Sequence, residues 1–270
     1  MSDTDKERFP FGENWLNFLN TLSDEHIFEA EKSLRSFLGN YDLEGKSFLD
    51  VGSGSGIHSL AARKMGANVV SFDYDAQSVA CTKELKSRYF PNDEAWKIEA
   101  GSVLEHSFIE SLGKFDVSYA WGVLHHTGVL WQALYNAQIP VRTDGLLFVA
   151  IYNDQGFISV LWKNVKRFYC SGWLGRTLMG LIFYPVFFLS GLVIDLVHLR
   201  NPAKRYQEHK KYRGMSLLHD WRDWLGGYPF EPAEPGRIIS FYNNLGFELL
   251  NLQPTGHGFG NNQFLFRRVK

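Results

Sequence analysis

Cysteine is scarce in this sequence. Only Cys81 and Cys170 occur among 270 residues, and neither stands at CxxC or Cys/His metal-ligand spacing. A disulfide framework and a metal site are therefore not expected, and a reduced cytosol fits this pattern. The N-terminal stretch MSDTDKERFPFG lacks the basic start and apolar run of a secretory signal. We therefore predict a cytoplasmic protein.

An excess of charge is also missing. Lysine and arginine total 28 against 29 aspartates and glutamates, so no net field would attract a polyanion, and nucleic acid is not expected as a partner. Aromatic residues, in contrast, reach 16%, which indicates an aromatic-lined pocket or lid and a small-molecule substrate. The composition leaves the oligomeric state open.

From position 47 onward, short apolar runs alternate with amphipathic stretches, which is typical of a parallel sheet flanked by helices. Strands are predicted at 47–51, 68–73, 96–100, 115–120, 145–152, 247–252 and 263–268, and helices at 57–65, 76–89, 104–112, 129–139 and 235–245. The predicted fold is α/β, Rossmann-like and doubly wound, with a mostly parallel seven-stranded sheet.

Four units follow from this pattern. They are an N-terminal helical cap at 1–45, a cofactor-binding core at 46–154, an inserted helical cap or lid at 155–232, and a C-terminal part at 233–270 that completes the sheet. Within the lid, residues 178–194 carry no formal charge but contain Pro185. We expect a buried or pocket-lining helical pair there, with membrane contact as the secondary interpretation.

The most informative segment is FLDVGSGSG, where Asp50 precedes Gly52, Gly54 and Gly56. Glycines between a strand and a helix let a ligand approach the backbone and the free N–H groups of the helix. A dinucleotide site would place its third glycine one position later, where Ile57 stands. The early carboxylate suits a ligand that carries an ammonium group rather than a pyrophosphate.

The second predicted strand delivers Asp73 about 20 residues after the glycines, where an acid can accept hydrogen bonds from ribose hydroxyls. Tyr74 follows and can cover one face of an adenine. Asp75 is expected only to cap the next helix. Ser102 and Val103 follow the third strand beside the adenine position, although Ser102 also suits an ordinary cap.

The strings FLDVGSGSG, VVSFDYD and FDVSYAWGVLHHTG resemble motifs of class I S-adenosylmethionine-dependent methyltransferases that act on small molecules, over residues 47–153. The resemblance implies S-adenosyl-L-methionine as the cofactor. Its implied binding residues are Asp50, Gly52, Ser53, Gly54, Gly56, Asp73, Tyr74, Ser102, Val103, Trp121 and Trp15, with Phe11 and Asn14 as secondary candidates. Many members carry an acid where this chain has Ser102.

In such a fold the reactive methyl group points toward the loops after strands four and five. His125 and His126 are the candidate proton acceptors, because a neutral imidazole can take the proton of an attacking group. Packing and cofactor contact are alternative roles for both. Tyr152 and Asn153 are candidates for orienting the nucleophile or stabilising the sulfonium charge.

The sequence therefore predicts a methyltransferase acting on a small, apolar or aromatic molecule. One alternative is an enzyme that uses the same cofactor without methyl transfer, for instance by cyclising its aminoalkyl chain and releasing methylthioadenosine. Another is a non-catalytic module that senses the cofactor or docks on a membrane.

Overall fold

One seven-stranded sheet organises the protein. The computed structural model describes residues 9, 11–12, 15, 18–19, 22–202, 217–256 and 260–270. The strands are β1 (Ser47–Val51), β2 (Asn68–Asp73), β3 (Trp96–Ala100), β4 (Phe115–Trp121), β5 (Val141–Tyr152), β6 (Phe247–Gln253) and β7 (Asn261–Arg268). Their order is β3-β2-β1-β4-β5-β7-β6, and only β7 runs antiparallel to its neighbours. This confirms the predicted fold class.

Helices cover the sheet and extend beyond it. They are α1 (Asp24–Leu38), α2 (Ile57–Lys64), α3 (Ala76–Tyr89), α4 (His106–Ser111), α5 (Leu130–Gln138), α6 (Phe157–Cys170), α7 (Trp173–Val197), α8 (Leu217–Gly226) and α9 (Pro235–Asn244). The first three strands and α3 have the predicted bounds, and the other predicted core elements differ by a few residues at their ends. Parts of the two predicted caps, at 1–8 and 203–216, lie outside the described residues.

Strand β1 fixes the position of the candidate site. It lies at the centre of the sheet, parallel to β2 on one side and β4 on the other. Phe48, Leu49 and Val51 are fully buried, because the strand is covered on both faces, as expected for a parallel sheet. The chain order reverses between β1 and β4, and ligands bind outside the carboxyl ends of the strands at such a switch point.

The prediction of a buried helical pair at 178–194 is wrong. The segment belongs to a single helix, α7, which continues through Pro185, and only 11% of its most apolar window is buried. Phe183 and Phe187 pack against aromatic residues of α6 and α8, while the opposite side has no described element over it. By length and composition α7 is apolar enough to cross a membrane, with a mean hydropathy of 2.1.

Candidate functional site

A cavity of about 1000 Å³ opens at the carboxyl ends of the central strands. Its volume is at the upper end of the range for small-molecule sites. The predicted residues that line it are Asp50, Gly52, Ser53, Gly54, Asp73, Tyr74, Ser102, Val103, Trp121, Trp15 and His126, joined by Phe11. Four predicted site residues do not line it: Gly56, His125, Tyr152 and Asn153. Asn14 lies outside the described residues.

Two glycines of the turn after β1, Gly52 and Gly56, are constrained by different neighbours. Gly52 has a φ of 72°, and a Cβ there would lie 2.5 Å from a methyl carbon of Val123 on the next loop. Gly56 has a φ of 80° where α2 begins, and a Cβ there would lie 2.9 Å from Thr82 of α3. Gly56 is thus required for packing between helices, which corrects the prediction that it borders the ligand.

Asp73 ties the end of β2 to the glycine turn. One carboxylate oxygen accepts a hydrogen bond from the backbone N–H of Gly54 at 2.9 Å, and the other accepts from the N–H of Asp75 at 2.9 Å. Asp75 caps α3 by accepting from the N–H of Gln77 at 3.0 Å, as the sequence predicted. Asp73 is therefore held at the cavity edge by two donors.

A chain of hydrogen bonds runs along one face of the sheet, from Asp50 on β1 to Trp96 on the edge strand β3. The Ser59 hydroxyl donates to the Asp50 carboxylate at 2.5 Å. The Ser71 hydroxyl lies 2.7 Å from that of Ser59, and the indole N–H of Trp96 donates to Ser71 at 2.8 Å. Because the indole can only donate and the ionised carboxylate can only accept, each hydroxyl points its hydrogen toward Asp50 when that acid is ionised.

Two acidic side chains at this cavity, Asp50 and Asp73, have raised pKa values. Burial raises the pKa of Asp50 to about 7, with the charge of Asp73 adding to the effect. Burial also raises the pKa of Asp73 to about 6, against the hydrogen bonds from backbone N–H groups. No basic side chain among the described residues forms an ion pair with either carboxylate. An ammonium group and ribose hydroxyls would satisfy them, which fits S-adenosylmethionine.

His126 presents a defined tautomer. Its Nδ1 lies 2.6 Å from the carbonyl oxygen of Pro229, and a carbonyl only accepts, so Nδ1 carries the hydrogen in the neutral ring. The lone pair then resides on Nε2. The ring lies 5.0 Å from that of Phe11, which also lines the cavity. Of the two predicted proton acceptors, His126 is therefore the one that lines the cavity.

The other predicted catalytic residues lie behind the cavity wall. His125 is fully buried, and burial lowers the pKa of its ring well below the usual value. Its ring centroid lies 4.2 Å from that of Tyr152. Asn153 accepts from the Asn262 amide at 3.0 Å, on the side of the last two strands. These positions correct the expectation that His125, Tyr152 and Asn153 face a bound substrate.

Residues 228–233, which are distant in sequence, separate these side chains from the cavity. The Glu231 N–H donates to the carbonyl of His125 at 3.0 Å, and the Ala233 N–H donates to that of Tyr152 at 3.0 Å. The ring of Phe230 packs 5.1 Å from that of Tyr152. This segment covers His125 and the end of β5, and its own Tyr228 lines the cavity in their place.

Sequence reasoning missed two histidines at the cavity. The N–H of Ser23 donates to Nδ1 of His26 at 3.1 Å, so Nε2 carries the hydrogen in the neutral ring; it is buried and has no hydrogen-bond acceptor in the described part of the chain. Burial lowers the pKa of His58 to about 4, which keeps that ring neutral. The only sequence signal for His58 is its place two residues after Gly56, in the first turn of α2. His26 occupies the third position of α1, where a capping residue is expected, and nothing there indicates a ligand.

The chain matches a known protein family and resembles solved structures. The family described as "Methyltransferase domain" matches residues 23–250. The chain resembles the magnesium protoporphyrin IX methyltransferase of Synechocystis PCC 6803, crystallised with SAH, at 12% identity and a TM-score of 0.54, covering 92% of this chain and 86% of that one. A Burkholderia thailandensis 1,6-didemethyltoxoflavin-N1-methyltransferase gives 14% identity and a TM-score of 0.50, covering 91% and 79%.

The curated relatives match over a shorter stretch. The ribosomal protein L11 methyltransferase of Xanthomonas campestris pv. campestris is 44% identical over 71 residues, which is 23% of either chain. The chain thus spans about a quarter of that relative. The family match covers most of the described residues and confirms the resemblance predicted from the motifs. The chain therefore belongs to the methyltransferase-domain family, within the class I S-adenosylmethionine-dependent methyltransferases.

Proposed function

We propose that this methyltransferase acts on a small, apolar or aromatic molecule that binds beside the cofactor. The observation that carries the proposal is the composition of the cavity wall. One end holds the buried carboxylate of Asp50 and the half-buried carboxylate of Asp73, and aromatic side chains line much of the rest. The aromatic residues are Phe9, Phe11, Trp15, Phe18, Tyr119, Trp121 and Tyr228. Such a wall favours an aromatic or apolar acceptor over a peptide or a sugar.

The cofactor would occupy the acidic end. Asp50 would face its ammonium group and Asp73 its ribose hydroxyls, while Tyr74, Ser102 and Val103 would border the adenine. The bound cofactor supplies a methyl carbon made electrophilic by its sulfonium sulfur. The indole of Trp15 lies against Gly54, 3.1 Å from where a Cβ would stand, so it covers the glycine turn and helps to exclude water there.

The imidazoles of His126 and His26 would then contact the acceptor molecule. The neutral ring of His126 offers a lone pair on Nε2, so it can take the proton of an attacking hydroxyl, amine or acidic carbon. His26 offers an N–H on Nε2 that lacks an acceptor within the described residues. A buried donor left unpaired costs about 1–3 kcal/mol, so a ligand oxygen that accepts this hydrogen would gain affinity.

The names of the structural neighbours support an acceptor of this kind. The Synechocystis enzyme is named for magnesium protoporphyrin IX and the Burkholderia enzyme for 1,6-didemethyltoxoflavin. Their identity to this chain is 12–14%, so they support the class of acceptor and not a particular compound. The L11 relatives name a protein substrate, but they match only a minor part of the chain.

Methyl-labelled S-adenosylmethionine tests the proposal. The enzyme is incubated with the labelled cofactor and a panel of phenols, quinols, heterocyclic amines and, as the competing class, ribosomal proteins. We expect label in an aromatic acceptor together with S-adenosylhomocysteine. Release of methylthioadenosine from the cofactor alone would instead identify the cyclising reaction. Labelling confined to the ribosomal proteins would refute a small acceptor.

A variant tests the role of His126. We expect His126→Gln to lower kcat by about 100-fold or more, the contribution of a general base, while cofactor affinity changes little. The pH profile of kcat should also lose its acidic limb. His106→Gln is the matched control, because His106 lies on α4 outside the cavity and is exposed to solvent. An unchanged kcat in His126→Gln would refute the role.

A further inference from the structure

Helices α6 and α7 pack against each other and expose a set of apolar side chains, here called the apolar face. It includes Phe157 and Leu161 of α6 and Leu174, Leu178, Leu181 and Leu189 of α7, whose exposed fractions run from 49% to 81%. On α7 the spacing of three, four and eight residues puts the leucines on one side of the helix. Soluble monomers rarely expose apolar patches of this extent without a partner.

The opposite side of α7 is occupied by protein. The ring of Phe183 lies 5.1 Å from that of Trp162 of α6, and the ring of Phe187 lies 5.4 Å from that of Trp224 of α8. The Tyr184 hydroxyl lies 3.4 Å from that of Tyr169. Because aromatic and polar contacts hold this side against two other helices, lipid cannot surround α7. The adjacent α6 also exposes Lys163 and Arg167, and the bilayer core disfavours such charges, so the geometry favours a helix that lies on a membrane over one that crosses it.

The exposed charged side chains described on α6, on α7 and just beyond α7 are all basic. Lys163 and Arg167 are exposed one turn apart on α6, and Arg176 and Arg200 are exposed near the two ends of α7. The acid within α7, Asp195, is buried. Among the described residues, the surroundings of the apolar face are thus positive, although the whole chain is nearly neutral.

We propose that the apolar face docks on a bilayer that contains anionic lipids. The leucines would enter the boundary between headgroups and acyl chains, and the basic side chains would contact the headgroups. A second copy of the chain is a poorer occupant. A two-fold contact would place the same positive surroundings against each other, which disfavours association.

The docked surface adjoins the cavity. Tyr169 of α6 and Leu225 of α8 form a small buried cluster with Phe9. The Phe9 N–H in turn donates to the carbonyl of Tyr228 at 3.2 Å, and both Phe9 and Tyr228 line the cavity. The cavity and the bilayer would therefore lie on two sides of one helical layer.

Flotation with phospholipid vesicles tests the proposal on the full chain. We expect binding to vesicles of phosphatidylcholine and phosphatidylglycerol, and weaker binding to phosphatidylcholine alone or in high salt. The triple variant Leu178→Gln/Leu181→Gln/Leu189→Gln should bind at least about tenfold more weakly, because glutamine keeps helix propensity but not apolarity. Each of Lys163→Gln and Arg167→Gln should weaken binding about fivefold.

Controls separate docking from misfolding and from the proposed reaction. The matched variant Phe28→Gln/Leu250→Gln also replaces exposed apolar residues, but far from the apolar face, and should float like the wild type. Cofactor affinity of the triple variant should be unchanged, which shows that it folds. Flotation is measured without any acceptor, so a failed acceptor screen leaves it unaffected.

A second readout uses Trp173, which stands at the start of α7 and is 74% exposed. Brominated lipids should quench its fluorescence, and Trp173→Phe should lose that part of the quenching. Absence of flotation on both vesicle types would overturn the proposal, as would undiminished flotation of the triple variant. Dimers that the triple variant abolishes, without vesicle binding, would instead assign the apolar face to a second copy and overturn it as well.

Discussion

The buried carboxyl of Asp50 makes the stability of the ligand-free protein depend on pH. Its pKa is about 7 in the folded protein, against about 3.9 in an unfolded chain. Since folding raises this pKa, the contribution of Asp50 to stability is intact below about pH 4 and is lost as the pH rises through about 7. A difference of about three in pKa corresponds to at most ~4 kcal/mol of unfolding free energy, with about 2 kcal/mol of it lost between pH 5 and pH 7.

Asp50→Asn removes this ionisation while keeping an oxygen that accepts from Ser59. Without cofactor, we expect the variant to exceed the wild type in unfolding free energy above about pH 7, by up to ~4 kcal/mol, and to show a flatter pH dependence. Urea denaturation at a series of pH values from about 5 to about 8 measures both. Asp73 keeps its pKa of about 6, so part of the slope should remain.

The same variant should bind S-adenosylmethionine about 10- to 100-fold more weakly, because a charged acceptor for the ammonium group is lost. Calorimetric titration measures this. Asp42→Asn is the matched control: Asp42 is exposed and accepts from the Glu44 N–H at 3.1 Å, so its removal should alter neither property. A variant no more stable than the wild type at pH 8, or one with an unchanged pH slope, would refute the reasoning.

Three further substitutions probe the site and its support. Asp73→Asn should still accept the Gly54 N–H but weaken cofactor binding about tenfold, measured by titration, since the ribose hydroxyls lose a charged partner. Gly52→Ala should lower the unfolding free energy by at least about 1–2 kcal/mol in urea denaturation, because of its positive φ and the contact with Val123. Tyr242→Phe removes the hydrogen bond that this buried hydroxyl donates at 3.1 Å and should cost about 1 kcal/mol by the same assay, with cofactor affinity unchanged.

The cofactor half of the site was predictable because it is local. The strand, the glycine turn and the acid of the next strand are close in sequence, so periodicity and spacing are enough to bring Asp50, Gly52 and Asp73 to one edge of the sheet. The exact duty of each glycine was not predictable, since Gly56 is constrained by Thr82 of another helix, and that contact has no signature in the motif.

The acceptor half depends on contacts between distant segments. Tyr152 ends β5 and Asn153 follows it, as expected, but residues 228–233 cover them, and nothing near position 152 indicates this. The exposure of α7 was equally hidden, because an apolar run of this length reads the same whether protein or lipid lies over it. Only the unequal distribution of basic residues around α7 distinguishes a helix that faces lipid from one that is covered by protein. The net charge of the whole chain does not reveal that distribution.

The hydrogen-bond chain that ends at Asp50 gives the protein a built-in optical sensor. Loss of the proton from Asp50 places a negative charge at the end of a row of aligned dipoles, which polarises the hydroxyls of Ser59 and Ser71 and, through them, the indole of Trp96. Because Trp96 is fully buried, solvent does not blur its response. Its emission should therefore follow the ionisation of Asp50, so that cofactor binding becomes visible at the β3 edge of the sheet without any added label.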